Sequence, residues 1–142
     1  MAGRRNAAAM RAVIALVALL AGCTETSLGY PGEWNVPVLA TATDGLAFTV
    51  SANDFTFDQS YVCPARGDSV NVSLVVSSYA GGSALIEISD SSGVKLVQLP
   101  VTQNIVAAQG RSSVLGTPPF TVHLQFTRFH GLLVLGVGAS AQ

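Results

Sequence analysis

Phe120-Thr121-Val122-His123-Leu124-Gln125-Phe126-Thr127 alternates apolar and polar side chains without a break. Successive side chains of a strand point to opposite faces, so this spacing gathers Phe120, Val122, Leu124 and Phe126 on one side. A helix of the same sequence would scatter them around its axis. The pattern recurs along the chain. Leu46, Phe48 and Val50 oppose Ala47, Thr49 and Ser51. Phe55 and Phe57 oppose Asp54, Thr56 and Asp58. Val70, Val72, Leu74 and Val76 oppose Ser69, Asn71 and Ser73, and Ala84, Ile86 and Ile88 form a further set. Each stretch offers one face to a core and one to water, as antiparallel sheets do. Leu132 to Val137 is apolar on both faces, which suits a central strand.

Turn residues fall between these runs. Asp90-Ser91-Ser92-Gly93 reads as a hairpin, and so do Ala80-Gly81-Gly82 and the segment from Arg128 to Gly131. Pro100 and the Pro118-Pro119 pair suit edges or loops. No stretch after residue 23 has helical periodicity. Seven to nine short strands at this spacing predict an all-β fold, an antiparallel β-sandwich of Ig-like or jelly-roll type, with a small β-barrel as the alternative.

The N-terminus has a different character. Arg4, Arg5 and Arg11 precede the apolar run Ala12 to Leu20, and Leu20-Ala21-Gly22-Cys23 closes it. The run is shorter than the roughly 20 residues a membrane-spanning helix requires. A basic start, a short apolar centre and small residues make the layout of an export signal. The closing tetrapeptide resembles the lipobox of bacterial lipoproteins. That resemblance implies cleavage before Cys23 and acyl chains, palmitate among them, on its thiol. Two or more such chains hold a protein stably on a membrane. Thr24 does not match the aspartate that retains enterobacterial lipoproteins at the inner membrane. The resemblance therefore implies the outer membrane if the cell is Gram-negative, and an extracytoplasmic location in the envelope in any case. The expected organisation is a signal peptide over 1–22, a lipidated Cys23 with a flexible tether over 23–43, and one β-sandwich domain over 44–142. Gly29, Pro31, Gly32 and Pro37 give the tether its character. Trp34, the single tryptophan, is expected to pack the tether's end onto the domain.

The chain after Cys23 carries four basic and eight acidic residues, a net charge of −4, against −1 for the whole sequence. Such a surface repels phosphate, so nucleic acid is not an expected partner. With Cys23 acylated, Cys63 lacks an intramolecular partner and reads as a small buried apolar residue. Arg66-Gly67-Asp68 reads as a turn feeding the strand at Ser69.

No catalytic motif or cofactor signature is present: no phosphate loop, nucleophile elbow or paired-cysteine metal site. Two histidines, His123 and His130, fall on a polar strand face and in a turn. An acid–base role would require Asp54 or Asp58 beside one of them in a cleft. Asp54 and Asp58, on one face of a strand, are the available calcium ligands, but they lack the dense acidic loop of a calcium site, and no metal is expected. The expected role is a membrane-tethered, non-enzymatic module that binds an envelope protein or a glycan, or supports structure. The alternative is a carrier of small apolar ligands with a cavity between the sheets or inside a barrel. We predict that Cys23→Ser leaves an unprocessed precursor and abolishes labelling by radioactive palmitate. Normal maturation and labelling of the variant would refute the lipobox reading.

Overall fold

A computed structural model describes residues 25–26 and 33–139 of the chain. The strands are β1 (Glu25–Thr26), β2 (Val38–Ala42), β3 (Gly45–Cys63), β4 (Val70–Ser89), β5 (Lys95–Val101), β6 (Ile105–Arg111) and β7 (Phe120–Ala139). Every pairing between them is antiparallel. The expected central strand is confirmed: β7 lies between β3 and β4 along its length.

Strands β3, β4 and β7 have 19, 20 and 20 residues, far beyond the usual five or six. They stay compact because all three bend at the same level. Residues with positive φ line up across them: Asp54 on β3, Ser78, Gly81 and Gly82 on β4, and Arg128 and Gly131 on β7. The hydrogen-bond register shifts at the same places. An extra residue in a ladder reverses which side chains face inward. Accordingly β3 buries Leu46, Phe48, Val50 and Ala52 before the bend and Phe55 after it. Strand β7 buries Phe120, Val122, Leu124 and Phe126, then Phe129, Leu133, Leu135 and Val137.

The crease folds each strand back on itself. Phe48 and Tyr61 belong to one strand and would stand about 43 Å apart if it ran straight. Their ring centroids are 6.5 Å apart. Cys63 lies 3.9 Å by its Sγ from the carbonyl oxygen of Val137, although Val137 pairs with Leu46 at the other end of β3. Cys63 is buried as expected, and that burial raises its thiol pKa.

Counting each half-strand separately gives a to h in chain order: a and b from β3, c and d from β4, e is β5, f is β6, and g and h from β7. The pairings give two layers, a-h-c-f and b-g-d-e. That order is the jelly roll, a sandwich of two interlocked Greek keys. The fold is thus an all-β antiparallel sandwich. Phe48 stacks on Phe126 across the layers at 5.9 Å, and Phe55, Phe57 and Phe129 complete the aromatic centre.

Three expectations are corrected. Ala80-Gly81-Gly82 and Arg128 to Gly131 are not hairpins. They lie opposite one another inside continuous strands, with Gly81 paired to His130, and their turn chemistry bends the sheet instead of reversing the chain. The tether over 23–43 is in part sheet: β2 pairs with the first half of β3, and β1 pairs with β2. Apolar Val38 and Leu39 continue the layer because β3 offers them an open edge. Cys23 lies outside the described residues. The turn at Asp90 does reverse the chain. Its carboxylate accepts bonds from the Ser92 hydroxyl and from the backbone N–H groups of Ser92, Val94 and Thr117 at 2.7 to 3.1 Å. Those bonds, the Ser92 hydroxyl first, hold its pKa down to about 2.

At the crease a Cβ on Gly82 would stand 2.1 Å from the carbonyl oxygen of Arg128, whereas one on Gly93 would meet open space. Both residues have positive φ. We predict that Gly93→Ala costs about 1 kcal/mol, the backbone strain alone. Gly82→Ala should cost more than about 3 kcal/mol or prevent folding. Urea unfolding of the two variants measures the difference, and equal midpoints would show that the crease is not a tight crossing.

Candidate functional site

Residues 33–37 run beside β3 where β2 leaves off. Trp34 bridges to Ser51, and the Asn35 N–H donates to the Ser51 carbonyl at 2.8 Å. The Asn35 carboxamide then acts as a short piece of strand. Its Nδ2 donates to the Asn53 carbonyl at 2.8 Å, and its Oδ1 accepts from the Asn53 N–H at 2.7 Å. Asn35 has φ 60, a conformation asparagine adopts more readily than most residues. This clamp leaves Trp34 65 % exposed, so the expectation that it packs onto the domain is corrected: the indole is displayed.

Trp34 forms one wall of a groove of about 340 Å³ at the crease, shared with Ser51, Asn53, Ser78, Ala80 and His130. Here the bend brings Asp54 against β7. The Asp54 N–H donates to His130 Nδ1 at 3.3 Å, and Asp54 Oδ1 accepts from Arg128 Nε at 2.9 Å. The Arg128 N–H donates to the Thr56 hydroxyl at 3.2 Å. The hydrogen bond and charge of Arg128 hold the Asp54 carboxyl below its ordinary range. Because Nδ1 accepts a backbone bond, neutral His130 carries its proton on Nε2, which lies 3.9 Å from Asp54 Oδ1. The ring lines the groove with its Nδ1 engaged by the backbone.

A second polar cluster spans the outer face of the other layer. His123 Nε2 meets Asp58 Oδ1 at 2.6 Å, and Nδ1 lies 3.5 Å from Glu87 Oε2. Glu87 Oε1 accepts from Lys95 Nζ at 2.5 Å and from Gln98 Nε2 at 2.9 Å, and Gln125 Nε2 reaches Asp58 at 3.4 Å. The row crosses β3, β7, β4 and β5. The bond to Asp58, then that to Glu87, raises the pKa of His123. The bond from Lys95 leads in lowering that of Glu87. Carboxylates on both ring nitrogens favour the imidazolium, so His123 reads as a cross-strand ion-pair member.

Each histidine therefore does have the carboxylate neighbour that an acid–base role requires. Neither arrangement leaves a free basic nitrogen. Asp54 and Asp58 do not converge: the first serves Arg128 at the crease and the second serves His123. Among the described residues no three His, Cys, Asp or Glu side chains are placed to hold a metal ion.

Two more grooves are among those that flank β6. One of about 650 Å³ lies on an outer face, where Asn71, Ser73, Gln109 and Arg111 surround Gly136 and Gly138. The other, about 190 Å³, lies at the edge between the layers, among Val72, Leu74, Val97 and Leu99. Small-molecule sites usually occupy about 300–1,000 Å³. The core between the layers is packed with aliphatic side chains around the aromatic rings.

No family model matches the chain, and no curated protein matches it. Among solved structures, TmCBM61 in complex with beta-1,4-galactotriose is similar with a TM-score of 0.36 and 14% identity, over 80% of this chain and 74% of that one. The sandwich assignment rests on the strand pairings above.

Sequence reasoning found Trp34, His123 and His130 but not their settings, and it missed Asn35, Asn53 and Ser78. For His123 the sign of the pH effect follows from its raised pKa. The ion pairs stabilise the fold fully below the ordinary histidine pKa of 6.5 and stop doing so as pH rises through the higher folded value. We predict that His123→Gln lowers the melting temperature at about pH 5.5 and changes little above about pH 9. A deficit independent of pH would refute the ion-pair role.

Proposed function

We propose that the protein is a lipid-anchored, non-enzymatic sandwich module of the bacterial envelope that binds neutral glycan at the Trp34 groove. The observation that carries the reading is an exposed indole at the wall of a polar groove, next to the backbone that the Asn35 clamp holds. A pyranose ring has an apolar C–H face and a rim of hydroxyls. The indole offers the flat apolar partner for the first. The side chains of His130, Asn53 and Ser78 offer hydrogen-bonding groups for the second.

The chemistry of the histidines supports the non-enzymatic part. His130 has its acceptor nitrogen occupied, and His123 is held between two carboxylates. A general base needs a free lone pair within reach of the proton it takes. The acidic net charge supports a neutral ligand over nucleic acid. The anchor rests on the lipobox ending at Cys23, with the outer membrane as the site in a Gram-negative cell.

Titration calorimetry of the purified protein against neutral glucose and galactose oligosaccharides tests the reading. We predict saturable binding to at least one of them, weakened at least tenfold by Trp34→Ala, which corresponds to about 1.4 kcal/mol. Asn35→Ala should weaken it too, without loss of fold, by freeing the indole. Absence of binding to the whole series, or equal affinity in Trp34→Ala, would overturn it.

A further inference from the structure

The first strand changes where the anchor stands. Glu25 pairs with Ala40, and Ala40 pairs with Ala47, so the sheet begins two residues after Cys23. Two residues of chain reach at most about 7 Å. The long tether expected from the sequence would have let the domain range over tens of ångströms; the β1–β2 ladder removes that freedom at its start.

Trp34 belongs to the same edge of the same layer. It sits beside Ser51, four residues along β3 from Ala47, or about 13 Å from the row that holds Glu25. Glu25, the first paired residue of the sheet, and the Trp34 groove therefore share one side of the molecule. Residues 33–52, which supply the edge strand and the Trp34 wall of the groove, include Glu33 and Asp44 but no lysine or arginine, and the exposed Arg128 at the crease is paired with Asp54. An anionic phosphate head group would find no cation in that stretch, whereas a neutral sugar needs none.

We infer that the anchor seats the β1–β2 edge on the bilayer, and that the Trp34–His130 groove takes the saccharide head groups of neutral glycolipids in the same leaflet. This rests on the anchored, glycan-binding reading above and names the source of the glycan. An exposed tryptophan suits that level of a membrane, where one part of the ring meets apolar chains and another meets water. Head groups in the same leaflet are also met at high effective concentration, so a modest intrinsic affinity suffices.

Trp34 is the chain's single tryptophan, so its fluorescence reports on this site alone. The test uses the acylated protein in phosphatidylcholine vesicles with a head-group spin-labelled lipid, with and without digalactosyl diacylglycerol. We expect the spin label to quench Trp34 and the galactolipid to protect it from quenching. A spacer of twenty Gly and Ser residues inserted after Thr24 should abolish both effects while leaving the affinity for soluble oligosaccharide unchanged. An acylated protein whose Trp34 is not quenched, or whose quenching and protection survive the spacer, would overturn the inference and leave soluble glycan binding standing. Quenching without protection would overturn the glycolipid assignment. Failure of palmitate labelling, or of sugar binding in every format, would instead remove the underlying reading and this inference with it.

Discussion

One line of backbone distortions holds this fold together. Asp54, Ser78, Gly81, Gly82, Arg128 and Gly131 all adopt positive φ at the same height in three neighbouring strands. A distortion in one strand of a sheet would break its ladder; matched distortions let the ladder continue around a bend. Without them β3, β4 and β7 would form a straight sheet some 60 Å long, with the apolar sets of the two halves of β3 and β7 on opposite faces and bare to water. With them the apolar faces of the two halves close on each other. Phe48 then meets Phe126 and Tyr61, and Cys63 meets Val137.

The crease also has to satisfy its own strain. Arg128 is a costly residue to place at positive φ, and its side chain is tied down by Asp54 and its N–H by Thr56. Asp54 in turn gives its N–H to His130. These contacts bridge the ladder where the bend interrupts it, and they engage Nδ1 of His130 beside the groove. The groove is thus a by-product of folding the sheet. The same turn of backbone that makes the sandwich leaves a polar notch on its rim, and Asn35 sets the indole of Trp34 over that notch.

Much of the fold was legible in the sequence because period two is a local signal. The alternation from Phe120 to Thr127 and its counterparts specified both faces of nearly every half-strand, and the doubly apolar run from Leu132 marked the strand that lies in the middle. What local reading could not see was how the halves join. Gly81-Gly82 has the composition of a hairpin turn. It bends the strand instead because His130 lies across the ladder with a matching irregularity, and that partner is 49 residues away in the chain. Val38 to Ala42 lacks alternation and became a strand only because β3 had an open edge beside it. The site was less legible for the same reason. Trp34 looked like a packing residue, and its display depends on a two-bond clamp between Asn35 and Asn53, eighteen positions apart. The pairings of Asp54 with Arg128 and of Asp58 with His123 likewise depend on which strands are neighbours.

The central claim is that the crease builds a ligand site around Trp34 and that the charged row on the opposite layer is structural. Chemical-shift mapping of the isotopically labelled protein, titrated with a neutral galactose or glucose trisaccharide, tests it directly. The account predicts shifts concentrated at the Trp34 indole N–H, Asn53, Ser78 and His130, with Asp58, Glu87 and His123 unmoved. Shifts centred on the His123 row or on the face around Gly136, with Trp34 silent, would contradict it.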